Sequence, residues 1–175
     1  MDVVEYLLFV PLLVYGIALS DLFGQWKRFL DPKSWHLPHL LTLIIVTEIG
    51  VYNVFIFFKL TAQFSSMHYF LYWLYLLPPL IFMLLVSYLT HMEENEDVKT
   101  SFISRSRPVF LLLGIYIGLH FIPQFHFEQT LWGVRLLGVL ICVTYAFWQK
   151  RVLFYLFVAS WIMSLLSKVY VIYWQ

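Results

Sequence analysis

The chain has 175 residues, of which 62% are apolar and 12% charged, with a mean hydropathy of +0.80. Soluble domains run at about 45–50% apolar and about 25% charged, so this composition excludes an ordinary water-soluble globule and indicates a polytopic membrane protein. The formal net charge of +1 argues against a nucleic-acid partner, and the single Cys142 excludes an intramolecular disulfide and a cysteine zinc cluster.

The chain opens MDVVEYLLFV, with Asp2 and Glu5 where a cleavable leader would be basic, so the first apolar run is expected to be retained. Apolar runs bounded by charges or turn residues predict an all-α bundle of six transmembrane helices in one membrane domain covering residues 1–175. They fall at roughly Val3–Leu22, Pro38–Phe58, Tyr69–Thr90, Pro108–Ile122, Thr130–Trp148 and Val152–Trp174. Alternate loops divide the Lys and Arg unevenly. Lys27, Arg28, Lys33, Lys99, Arg105, Arg107, Lys150 and Arg151 fall on one side and only Lys59 on the other, which predicts that both termini face outward. Trp26, Trp35 and Trp148 then lie near the inner boundary, Trp132 and Trp174 near the outer one. Six spans have the parity of a 3+3 inverted duplication, although the halves share no sequence similarity.

Within the second span, IIVTEIGVYN puts Glu48 about 10 residues from either helix end, or about 15 Å, at the expected midplane. An ionised acid there must be protonated, paired or turned to a polar cavity. Thr47 and Asn53 extend the local polarity. In the third span Pro78 and Pro79 remove two N–H groups and free the carbonyls of Leu74 and Tyr75 at about the same expected depth. These residues together form a candidate permeation or ion-binding set. Lys168 near the end of the sixth span and Arg135 in the fifth are expected either to balance Glu48 or to snorkel to headgroups, and His120 adds an outer ionisable group.

Gly114 and Gly118 form a small-xxx-small pair suited to close helix packing, within the bundle or between subunits, and small apolar bundles of this kind are expected to be homo-oligomers. Two bis-histidine haem sites can be drawn, His39 with His91 and His68 with His120. These histidines fall mostly at helix ends and in loops, and no resident cofactor is expected. No metal spacing such as H-E-x-x-H occurs, and no nucleophile and base stand at a recognisable catalytic spacing.

The segments LVYGIALSDLFGQWKRFL, YWLYLLPPLIFMLLVSYL and NEDVKTSFISRSRPVFLLLG resemble a family of small bacterial polytopic membrane proteins that carry no assigned activity. The resemblance implies a bacterial inner (cytoplasmic) membrane location and supplies no catalytic residues. Two functions are expected. One is a small channel or transporter for a cation, proton or small polar solute; the other is a non-catalytic interaction or sensory subunit that docks a protein partner through its cytoplasmic loops, the 91–107 loop above all.

Overall fold

The computed structural model describes residues 3–32, 35–59, 69–91, 97–122 and 132–174. The described residues form six α-helices and no strand: α1 (Val3–Gln25), α2 (Leu37–Lys59), α3 (Tyr69–Thr90), α4 (Val98–Leu119), α5 (Trp132–Trp148) and α6 (Arg151–Trp174). A 3-10 segment, Trp26–Leu30, follows α1 directly.

Four of these helices are long and apolar enough to cross a membrane, over Leu7–Gln25, Leu37–Ile56, Tyr72–Thr90 and Val98–Leu119. Hydropathy led to an expectation of six crossings, of which four meet this length among the described residues. The 17 residues of α5 extend about 26 Å at 1.5 Å per residue, short of a core about 30 Å thick. In α6, which runs 24 residues, the apolar stretch among the described residues is Arg151–Leu166.

The fourth helix also starts ten residues before the expected Pro108. Its start is a cap: the Asp97 carboxylate accepts from the Thr100 amide at 3.3 Å and from the Thr100 hydroxyl at 3.4 Å. The Asp97 carbonyl meanwhile accepts from the Ser101 amide at 2.9 Å. Pro108 sits inside the helix, where it withholds one N–H. Lys99, Arg105 and Arg107 therefore ride on a helix and not in a loop.

Two compact units result, Met1–Phe102 and Ile103–Gln175. In the first, α1 turns a buried stripe at Leu8, Pro11, Tyr15, Ala18 and Leu22 toward α3, which answers with Tyr75, Pro79, Phe82, Val86 and Leu89. Spacings of three and four keep each stripe on one helical face. The Tyr15 and Phe82 rings meet at 5.3 Å between centroids. α2 closes on this pair through Gly50, where a methyl group would come within 2.5 Å of Phe82 Cζ and 2.9 Å of Leu19 Cδ2. Only a glycine lets the three helices approach this closely.

The second unit is built on α4 and α5 running antiparallel. Phe121 meets Trp132 at 5.5 Å, Phe110 meets Tyr145 at 4.3 Å, and Gln149 bonds Ser106 at 2.8 Å. The paired numbers sum to nearly one value, as an antiparallel register requires. Phe110 also packs on Phe154 and Phe157, which brings α6 into the same aromatic core. Only Gln149 and Lys150 separate α5 from α6, and Gln149 holds φ at 46°. A left-handed residue that is not glycine costs about 1–2 kcal/mol, here set against two side-chain hydrogen bonds, to Ser106 Oγ at 2.8 Å and the Ile103 carbonyl at 3.4 Å.

Candidate functional site around Glu48

α2 is amphipathic in burial more than in polarity. His39, Leu43, Val46 and Gly50 face the unit's interior, while Leu41, Ile44 and Glu48 are half-buried and Val51 and Phe55 exposed along the opposite face. Glu48 thus lies on the less covered side of its helix, neither sealed in the core nor at a helix end.

Asn53 does not join it. Five residues on a helix turn about 140°, which carries Asn53 toward the other side, and its amide donates to the Ile49 carbonyl at 2.8 Å within the same helix. Pro78 and Pro79 are buried within the unit, Tyr75 likewise and Leu74 half-buried, and α3 remains helical through both prolines. Gly50, which meets Phe82, stands two residues from Glu48, and Phe82 stands three from Pro79 on the neighbouring helix.

Gly50 lies against Leu19, which precedes the end of α1 by six residues, or about 9 Å. Glu48 is two residues nearer that end. Just past the end of α1, the Trp26 indole N–H donates to Thr47 Oγ1 at 3.4 Å, and Thr47 in turn donates to the Leu43 carbonyl at 2.7 Å. The helices are axially staggered: α2 runs on past the end of α1, and Glu48 sits within about two turns of where α1 stops.

Polar side chains gather in this first half of α2. His39, Thr42 and Thr47 are buried there, with Ser101 of α4. The Thr42 hydroxyl donates to the Pro38 carbonyl at 2.7 Å, a local bond that lets the hydroxyl be buried without a partner on another helix. The Phe102 ring packs between His36, at 5.4 Å, and His39, at 5.6 Å, which ties the start of α4 to the start of α2. Burial pushes the His36 pKa down, Lys99 adds to this and Asp97 opposes it. Hydropathy reading missed this His36, His39 and Phe102 cluster as a site. Its one sequence signal is the pair of histidines three residues apart at a helix start.

The other candidates are dispersed. Arg135 on α5 is half-buried, with one guanidinium nitrogen out of contact with solvent. His120 Nδ1 lies 3.0 Å from the Tyr116 carbonyl, and His91 is exposed. The Lys168 side chain and His68 fall outside the described residues. Of the glycine pair, Gly114 packs on α5, where a methyl group would meet Cys142 Cβ at 3.4 Å, while around Gly118 nothing lies within 4 Å of such a methyl. Among the described residues no group of three His, Cys, Asp or Glu is placed to hold a metal ion. Comparison with protein families, curated proteins and solved structures finds no match to this chain.

Proposed function

We propose that the protein is a small membrane channel or transporter for a proton or other small cation, with Glu48 as the group that takes and releases it. The observation that carries this reading is a carboxyl on the less covered face of a membrane-length helix, within reach of the end at which α1 stops. Such a group is too deep for water to solvate freely and too exposed to serve packing alone, which is the condition for exchange with a polar path. Asn53, whose amide bonds the Ile49 carbonyl of its own helix, and the Leu74 and Tyr75 carbonyls beside the α3 prolines are candidates for assisting it. Arg135, Lys168 and His120 remain candidates for balancing charge.

In this reading α5 and α6 cross with the other four helices. α5 runs beside α4 from Phe121 to Ser106, so it shares the depth of a membrane-length helix although it is shorter. Both termini then face outward, in a bacterial inner membrane, and copies of the chain associate. The test is cation and proton flux into proteoliposomes at matched folded yield. Native protein is expected to conduct and Glu48→Gln to lose flux, and equal flux through both would sink the proposal.

A second reading, an interaction or sensory subunit, is favoured by the seating of Phe102 on His36 and His39. A partner pulling on the acidic segment before Asp97 would act through this contact on α2, the helix that carries Glu48. Reversing Glu93, Glu94 and Glu96 to Lys is expected to abolish capture of such a partner, and undiminished capture would count against it.

A further inference from the structure

The positive and negative charges of this chain are segregated. Residues 1–102 hold five Lys and Arg against nine Asp and Glu, whereas residues 103–175 hold six against one, Glu128. Among the described residues, the second unit therefore contains no carboxylate at all.

Three of its cations converge on one corner. The hydrogen bonds from Gln149 to Ser106 Oγ and the Ile103 carbonyl fasten the α5–α6 link to the first half of α4. The Arg107 guanidinium lies over the Phe147 ring at 5.1 Å, and Lys150 and Arg151 follow directly, both exposed. The corner is rigid, since a two-residue link with Gln149 in the left-handed region leaves little freedom. Its positive end is reinforced by the first turn of α6, whose amides carry partial positive charge.

Beside these cations stand exposed apolar side chains: Phe147 at 60%, Trp148 at 68% and Val152 at 68%. From Phe147 the exposed stripe continues along α5 through Val143, Leu140 and Leu136, at spacings of four, three and four. The eleven helical steps from Leu136 to Phe147 rise about 16 Å, close to half of a hydrocarbon core about 30 Å thick. A cationic head and an apolar track one leaflet deep match one kind of molecule.

We propose that the α5–α6 corner is a binding site for an anionic phospholipid, its headgroup phosphate on Arg107, Lys150 and Arg151 and an acyl chain along Phe147, Val143, Leu140 and Leu136. The inference rests on the bilayer position of α5 proposed above, and it is independent of flux. Trp148 takes headgroup depth, as interfacial tryptophans do. Arg107, braced on Phe147, presents its guanidinium without reordering when the phosphate arrives.

The test uses the full chain, purified in neutral detergent and incubated with equal amounts of phosphatidylglycerol and phosphatidylcholine, with retained lipid counted by native mass spectrometry. Native protein is expected to favour phosphatidylglycerol by about tenfold, and Lys150→Gln with Arg151→Gln to lose most of that preference. Lys59→Gln with Lys99→Gln removes the same charge from residues 1–102 and should leave it unchanged. No preference in the native protein, or equal losses in both pairs, would overturn the site. Displacement by millimolar inorganic phosphate would overturn it as well, by assigning the corner to a soluble anion. Failure to retain either lipid would remove α5 from the bilayer and the site with it.

Discussion

Gly50 gives the sharpest test of how the first unit is held together. In Gly50→Ala the new methyl would stand 2.5 Å from Phe82 Cζ, 2.9 Å from Leu19 Cδ2 and 3.0 Å from Phe82 Cε1. Ordinary carbon contacts begin near 3.5 Å, so the ring must retreat by about 1 Å. It has little room to do so, because Phe82 is fully buried and lies against Tyr15. Overpacking of this kind costs about 1–3 kcal/mol, and the better helix propensity of alanine returns about 1 kcal/mol, leaving a net loss of up to about 2 kcal/mol. Gly16→Ala is the internal control: it makes the same change on α1, where nothing lies within 4 Å. It should be neutral or stabilising by up to about 1 kcal/mol. The assay is the denaturant midpoint of helix loss by circular dichroism in one detergent. Opposite signs for the two variants are expected, with Phe82→Leu restoring much of the Gly50→Ala loss. Equal midpoints for the two alanine variants would refute the close approach of α2 to α1 and α3.

The α5–α6 corner and the α2 start yield two more expectations. Gln149→Ala loses the bonds to Ser106 and Ile103 while keeping the left-handed backbone, and should destabilise by about 1–2 kcal/mol. Gln149→Gly loses the same bonds but relieves the backbone, and should cost clearly less in the same denaturant titration; equal costs would refute the strain. For His36 the folded pKa lies below its ordinary 6.5, so below that pH the unfolded chain binds more protons. Its contribution to stability is present above 6.5 and lost as the pH falls through the lowered value. Melting should therefore weaken from pH 7 to pH 5 and do so less in His36→Gln, and an unchanged pH slope in the variant would refute this.

How much of this was legible in the sequence depends on whether the feature is local. The bounds of α3, Tyr69–Thr90, coincide with the apolar run, because desolvation cost alone sets both. The start of α4 does not, because a cap and not hydropathy sets it. D-V-K-T at residues 97–100 carried the signal, and Pro108 was read as a first-turn residue when it lies eleven positions into the helix. The divergence of Asn53 from Glu48 was also present in the chain, in a five-residue spacing that cannot hold one helical face.

The position of Glu48 relative to α1 was not in the chain. Counting along α2 measures distance from its own ends, and α2 is displaced along its axis past the end of α1. Gly50 against Leu19 and Trp26 against Thr47 fix that displacement. Such stagger arises from which side chains interlock between helices, so no one-dimensional reading of a single span contains it. In the proposed reading, an acid within about two turns of the end of α1 is served by a polar route to that end. Thr47 and the Trp26 indole, bonded to each other, stand at that end. A flux experiment on Glu48→Gln therefore gains by pairing with Trp26→Phe, which removes the N–H facing Thr47 and leaves the carboxyl intact. If cations reach Glu48 from the α1–α2 end, Trp26→Phe should slow flux without abolishing it. Flux unaltered by Trp26→Phe but lost in Glu48→Gln would move the entrance to the exposed face of Val51 and Phe55.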